Sequence, residues 1–255
     1  MKIAFTAFAL EKNIEAKKEL EKKYGIYKPE EADIIVALGG DGFVLKSLHQ
    51  YLKLVKPIFG MNFGSVGFLM NSYGIENLEE RIEKAQLLKL KPLIMKTVNP
   101  TGQEVKALAI NEVSIRREKY QAAKLKIEID GVTRMEELVC DGIIASTAVG
   151  STGYNYSASG PIIPLESNVI AFTAVSSYRP RHWKGGLLSN KAKIKITNIN
   201  PSKRPVVAHA DHIEAKDVIS IEIEMADQME IPLLLDNDHT IEDRVYSEMF
   251  GQTKS

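Results

Sequence analysis

Cysteine is almost missing from this chain: Cys140 is the single one among 255 residues. That excludes an intrachain disulfide and any cysteine-rich metal cage. Neither sign of charge is in excess, with 33 Lys and Arg against 33 Asp and Glu, so the chain lacks the basic balance of a nucleic-acid binder. No apolar run approaches the roughly 20 residues needed to cross a bilayer. The opening MKIAFTAFALEKN is too short in its apolar part for a signal peptide. The expectation is a cytoplasmic protein with no membrane and no nucleic-acid partner. What is present is ordinary globular composition, 44% hydrophobic and 26% charged. It suffices for one large domain or two modest ones.

The hydrophobic period changes near Pro92. Before it, strand and helix patterns alternate. KIAFTAFAL reads as a strand, and Ile14, Lys17, Leu20 and Tyr24 follow at helical spacing with Gly25 placed to end the helix. The lysines of that helix read as a solvated face. DIIVAL is a continuous apolar run ending at Gly39-Gly40, as in a strand covered on both faces. Phe43, Val44, Leu48 and Leu52 suggest a helix next, then a strand from Lys56. IENLEERIEKAQLL places Ile75, Leu78, Ile82 and Ala85 on one helix face. Beyond Pro92 the period is two, as in KLKIEID, KAKIKITNI and VISIEIEM, with Asp130-Gly131 as a hairpin turn. The tail HTIEDRVYSEMF returns to helical spacing through Ile241, Val245 and Met249. The expected fold is an α/β N-terminal domain with a parallel sheet (1–92), a β-rich C-terminal domain (93–236), and a C-terminal helix (237–255) packing back on the first domain.

Three segments carry chemistry. Leu38-Gly39-Gly40-Asp41-Gly42 runs from a buried strand through glycines to an acid and a helix start. Glycines there let a ligand approach the backbone, and a helix start offers free N–H groups to anions. By itself GGDG is also what an ordinary turn looks like. Asn62-Phe63-Gly64-Ser65-Val66-Gly67-Phe68-Leu69 is a second glycine loop after a strand. As a standard dinucleotide fingerprint it fails, because no acid sits at a strand end about 20 residues on. The third segment, DGIIASTAVGSTGYNYSASGP from Asp141 to Pro161, is dense in small hydroxyl residues and glycines, with Tyr154 and Tyr156 between them. It suits a polar ligand bearing ribose and phosphate groups. A linker would need no interposed aromatics.

Together with the Asn111-Glu112 pair in LAINEVSI, these segments resemble the NAD kinase family in order and spacing over nearly the whole chain. The resemblance implies transfer of the γ-phosphoryl group of ATP, or of inorganic polyphosphate, to the 2′-hydroxyl of the adenosine ribose of NAD. By that resemblance Asp41 is the general base, accepting the hydroxyl proton as the O–P bond forms. NAD would contact Asp41, Gly42, Asn111, Glu112, Asp141, Val149, Thr152, Gly153, Tyr154, Asn155, Ser157, Ser176, Asp211 and His212. The nucleotide cleft would be lined by Gly39, Gly40, Asn62, Gly64, Gly67 and Phe68. Mg²⁺ or another divalent metal would arrive with ATP, needing few protein ligands, and a homo-oligomer, dimer or tetramer, is implied.

Three departures accompany the likeness. Gly153 stands where the family usually has Ala, Ala148 where it has Pro, and His212 follows Asp211 where Gly is usual. His209 and His212 lack a third ligand nearby, so no metal site is expected; they read as strand-surface histidines, with His212 placed to meet the ligand. The rival readings are a lipid or sugar kinase with a related GGDG loop, of which a lipid kinase should show a hydrophobic access surface, and a non-catalytic dinucleotide sensor, which tolerates loss of Asp41.

Overall fold

The computed structural model of the chain describes residues 1–64, 67–237 and 241–250. It divides into two compact units, Met1–Leu90 with Glu230–Ser255, and Lys91–Met229.

The first unit opens with β1 (Ile3–Ala7), α1 (Glu11–Tyr24), β2 (Ile34–Leu38), α2 (Asp41–Gln50), β3 (Ile58–Asn62), β4 (Asn71–Ser72), α3 (Leu78–Lys84) and β5 (Gln86–Leu90). β1, β2 and β3 pair in parallel. Ile35, Val36, Ala37 and Leu38 are all at 0% exposure, which is why this strand reads as an unbroken apolar run. Helix α1 stops at Gly25, whose φ of 92° is left-handed. Its buried face is Asn13, Ala16 and Leu20, not the expected stripe with Ile14, which is exposed. The small Ala16 suits the face laid against the sheet. Tyr24 is half-buried, and its hydroxyl donates to the Ile75 carbonyl at 2.6 Å and accepts from Leu78 N–H at 3.2 Å, tying α1 to the start of α3. The helix expected through QLL ends at Lys84. Gln86–Leu90 becomes a strand because a distant partner strand pairs with it, and that pairing outweighs the local helical period.

The second unit is built of β6 (Leu93–Val98), β7 (Glu104–Ala109), β8 (Glu112–Arg117), β9 (Ala123–Ile129), β10 (Val132–Cys140), β11 (Gly142–Ser146), α4 (Tyr154–Ser157), β12 (Val169–Val175), β13 (Gly185–Ser189), β14 (Ile194–Asn198), β15 (Val206–Ala210), β16 (Ile213–Ala215) and β17 (Ser220–Met225). They form two antiparallel sheets, β10-β9-β14-β17-β6-β7 and β13-β12-β11-β8-β15-β16. One apolar core draws on both, including Leu125, Ile127 and Ile223 from the first and Val113, Ile115, Ile143 and Ala208 from the second. Period-2 sequence follows from that sandwich. Asp130 and Gly131, with φ of 54° and 76°, make the β9–β10 turn. Cys140 is buried in this core, and burial pushes its thiol up to about 12, so it is unreactive.

The chain then returns to the first sheet. β18 (Ile231–Leu235) pairs in parallel with β3 and antiparallel with β5. The β-rich unit therefore ends at Met229, not at the expected residue 236. The physical reason is legible: IPLLL is a continuous apolar run, suited to a sheet covered on both faces and not to an alternating sandwich strand. α5 (Ile241–Phe250) belongs to the same unit. Of its expected stripe, Val245 is buried, Met249 is exposed, and the Ile241 side chain lies outside the described residues. Arg244, 4% exposed, is the residue the stripe did not include.

Candidate functional site

Because β1, β2 and β3 are parallel, their carboxyl ends lie at one edge of the first unit's sheet, where ligands of α/β proteins bind. The Gly39 N–H donates to the Met61 carbonyl at 3.0 Å, drawing the first glycine segment against the second. Gly40 is extended and α2 begins at Asp41 with no side-chain cap on its first turn. At Gly40 and Gly42 a Cβ would meet nothing within 4 Å. The Asp41 carboxylate turns toward the second loop, accepting N–H bonds from Phe68 at 3.1 Å and Leu69 at 3.0 Å. A Cβ on Gly67 would come within 2.4 Å of the Asp41 Oδ2, so any side chain there would have to push the carboxylate aside. Asn62 orders the start of the loop, its Oδ1 accepting the Gly64 N–H at 3.4 Å. Phe68 is buried and reaches the site through its backbone alone. Ser65 and Val66 lie outside the described residues.

The turn that holds Asp41 is also held from behind. Arg244 donates from Nη1 to the carbonyls of Gly67, at 3.3 Å, and Met70, and from Nη2 to Asn71 Oδ1 at 3.1 Å. The periodicity of the tail pointed to the helix but gave no sign of this guanidinium.

In the second unit a polar corner forms where β8 begins. Asp211, with φ of 50°, sits between β15 and β16. Its carboxylate accepts N–H bonds from Ile110 at 2.7 Å and from Asn111 and Glu112, each at 3.1 Å. Asp211 thus shapes the corner, a role its motif position did not reveal. The Asn111 carbonyl accepts the Thr147 N–H at 2.9 Å, joining the corner to the glycine-rich segment. A Cβ on Gly150 would come within 2.7 Å of the Asn111 Cα, so only glycine permits that approach. Asn111 Oδ1 and Glu112 Oε2 are buried with no hydrogen-bond partner. Burial, aided by the Asp211 carboxylate, pushes Glu112 up to about 7. Buried orphan acceptors are costly unless a ligand satisfies them.

The glycine-rich segment divides by function. Val149 and Asn155 are buried. Asn155 donates to the carbonyls of Ser151 at 3.1 Å and Pro161 at 2.8 Å and accepts from Thr173 at 2.7 Å, so its side chain braces the loop internally. Thr152 and Tyr154 are half-buried, while Gly153 and Ser157 are exposed. His212 is exposed in the turn after Asp211. His209 is more enclosed than a surface histidine: its Nε2 lies 3.2 Å from Glu214 Oε2 and its Nδ1 is buried without a partner.

Asp141 and Ser176 are not part of the corner. Glu112 pairs with Ser146 at one end of β11, whereas Asp141 precedes the other end and Ser176 follows the strand beside it. Five residue steps along a strand amount to roughly 17 Å. There Asp141 accepts from Arg117 Nε at 2.6 Å. A cavity of about 420 Å³ lies elsewhere, on the other sheet, lined by Lys96, Lys195, Glu222 and Glu224. Its charges pair across strands, as in Lys195–Glu222 at 3.9 Å, and no motif residue reaches it.

A fixed acid among glycine turns at the carboxyl ends of parallel strands places the first unit among the α/β nucleotide-binding folds. Comparison with known proteins specifies it further. The family model described as the ATP-NAD kinase N-terminal domain matches residues 6–87, and that of the ATP-NAD kinase C-terminal domain matches 110–213. The chain is 48% identical to a NAD kinase of Rhizobium meliloti over 98% of its length and 97% of the relative's. It is 46% identical to a NAD kinase of Brucella suis, covering 96% of each. A crystal structure of an NAD kinase from Archaeoglobus fulgidus in complex with ATP superposes with a TM-score of 0.74 at 26% identity, covering 93% of this chain and 94% of that one. Yeast NADH kinase complexed with NADH gives 0.81 at 19% identity over 99% and 88%, a likeness of fold. The chain belongs to the NAD kinase family. The lipid-kinase, sugar-kinase and sensor readings are not favoured by these likenesses.

Proposed function

We propose that the chain phosphorylates the 2′-hydroxyl of the adenosine ribose of NAD, with ATP or inorganic polyphosphate as donor and Asp41 as the base. The orientation of Asp41 carries this reading. Each carboxylate oxygen takes one backbone N–H, and an ionised carboxylate has about four acceptor sites, so each oxygen keeps one for an incoming hydroxyl. The two N–H bonds fix the plane of the group before substrate arrives. Positioning and electrostatics dominate phosphoryl transfer, so one well-placed acceptor suffices.

On this reading the uncapped start of α2 offers N–H groups to phosphates, and Gly39, Gly40, Gly64 and Gly67 line the cleft beside it. Asn111 Oδ1 and Glu112 accept from ribose hydroxyls or an amide of NAD, which would satisfy the orphaned atoms. Thr152, Tyr154 and Ser157 contribute short polar contacts and one aromatic face. At the far end of β11, Asp141 remains assigned to the nicotinamide end and Ser176 to NAD by resemblance alone, as His212 is to the ligand. Val149 and Asn155 support the loop from inside.

Among the described residues no group of three or more His, Cys, Asp or Glu could hold a metal ion. Mg²⁺ or another divalent metal would be carried on the donor phosphates and would supply charge neutralisation there. Among the described residues no helix is long and apolar enough to cross a membrane. A cytoplasmic homo-oligomer, dimer or tetramer, completes the reading. Incubating purified protein with NAD, ATP and Mg²⁺ tests it: NADP should form and should require all three. No NADP with either ATP or polyphosphate would overturn the assignment.

A further inference from the structure

The turn from Gly67 to Met70 is clasped on two sides by opposite charges. Its N–H groups at Phe68 and Leu69 go to the Asp41 carboxylate. Its carbonyls at Gly67 and Met70 go to the Arg244 guanidinium. The donors and acceptors of one short turn are thus divided between an acid from α2 and a base from α5. We propose that Arg244 is a positioning residue for Asp41, so that the C-terminal helix sets the direction of the carboxylate that receives the ribose proton. This rests on Asp41 being the base.

The geometry favours a positioning function over simple anchoring of the tail. Arg244 is 4% exposed, and burying a guanidinium is costly unless its N–H groups find acceptors, as those of Nη1 and Nη2 do here. An apolar side chain would dock a short helix as well without desolvating a charge. Its Nη1 reaches both carbonyls of the turn while Nη2 meets Asn71 Oδ1 at 3.1 Å. Asn71 is itself fixed: its Nδ2 donates to the Leu234 carbonyl at 3.2 Å and its Oδ1 accepts the Asp236 N–H at 2.8 Å. The guanidinium therefore references the turn to β18, a rigid strand of the sheet. Gly67, where a Cβ would displace Asp41, lies in the same turn. If the clasp is released, the N–H groups that orient the carboxylate can swing, and small misplacements of a reacting group cost large factors in rate.

The test uses full-length protein with Arg244→Lys, which keeps charge but loses the fork, and Arg244→Met, which keeps bulk. Turnover of NAD with ATP and Mg²⁺ should fall at least tenfold in both, with KM for NAD and the calorimetric Kd for NAD within about threefold of the parent. Added guanidinium ion should restore part of kcat in Arg244→Ala, whose truncated side chain leaves room for it, and do nothing for Asp41→Asn. A folded variant with kcat within twofold of the parent overturns the proposal. So does a parallel loss of kcat and NAD affinity that tracks falling thermal stability, or loss of fold in both variants, since Arg244 would then be structural first. A parent that makes no NADP would instead defeat the functional reading itself, and the two failures are distinguishable.

Discussion

Asp41 and Glu112 are both acids at strand ends, and the protein treats them oppositely. Asp41, in the α/β unit, has both oxygens engaged by backbone N–H groups of a turn that is itself clamped. Glu112, in the sandwich unit, has a buried oxygen with no partner and a carboxyl raised to about 7. The first arrangement holds a group still in advance of reaction. The second leaves a deficit that a ligand can fill. On the proposed function, orientation for chemistry belongs to the α/β unit and affinity for the dinucleotide to the sandwich unit.

The largest expected effect breaks the first half of that comparison. Asp41→Asn keeps the shape but removes the proton acceptor, and general-base contributions amount to about 10²–10⁴-fold. Turnover should fall by at least that order, measured by steady-state NADP formation. One N–H of the turn will face the new amide group, so thermal unfolding should also register a loss of about 1–3 kcal/mol.

Next comes the loop of the sandwich unit. Tyr154→Ala should weaken NAD binding well over tenfold in calorimetry while ATP affinity changes much less. Equal losses would point to a misfolded loop, and no loss would remove Tyr154 from the site. Asp211→Asn sharpens the same half, since three N–H bonds converge on that carboxylate. Denaturant unfolding should show about 1–3 kcal/mol lost, with weaker NAD binding because Asn111 and Glu112 lose their frame.

A smaller, pH-dependent effect belongs to Glu112. Its carboxyl rises from 4.5 unfolded to about 7 folded, so between those values the folded state holds a proton that the unfolded state has released. Its contribution is favourable below about pH 4.5 and is lost as pH rises through about 7. Glu112→Gln should therefore be more stable than the parent at pH 8, by at most roughly 3 kcal/mol, and should flatten the stability profile between pH 5 and 7. A variant less stable than the parent at pH 8 would contradict the burial account.

Much of this was legible in the chain. The apolar run before Gly39, the change of period at Pro92 and the Asp130-Gly131 turn each follow from local rules, and four motifs in order pointed to the family. What stayed hidden depends on long-range register. Whether Asp141 stands near Asn111 is decided by which end of β11 meets β8, and spacing along the sequence cannot say. Asp211 looked like a ligand contact because its partners are backbone N–H groups about 100 residues away. Arg244 was invisible because an amphipathic stripe is sought among apolar residues, whereas this helix docks partly through a guanidinium. β18 could have been found: IPLLL is a both-faces-buried run placed after a series of alternating strands.

The division of labour is tested most directly by titrating NAD at pH 8 into Asp41→Asn and Glu112→Gln side by side. Asp41→Asn should bind NAD within about threefold of the parent despite its lost turnover. Glu112→Gln should bind at least tenfold more weakly, the scale of a lost hydrogen bond to a charged group. The reverse pattern, with affinity lost at Asp41 and kept at Glu112, would contradict the account.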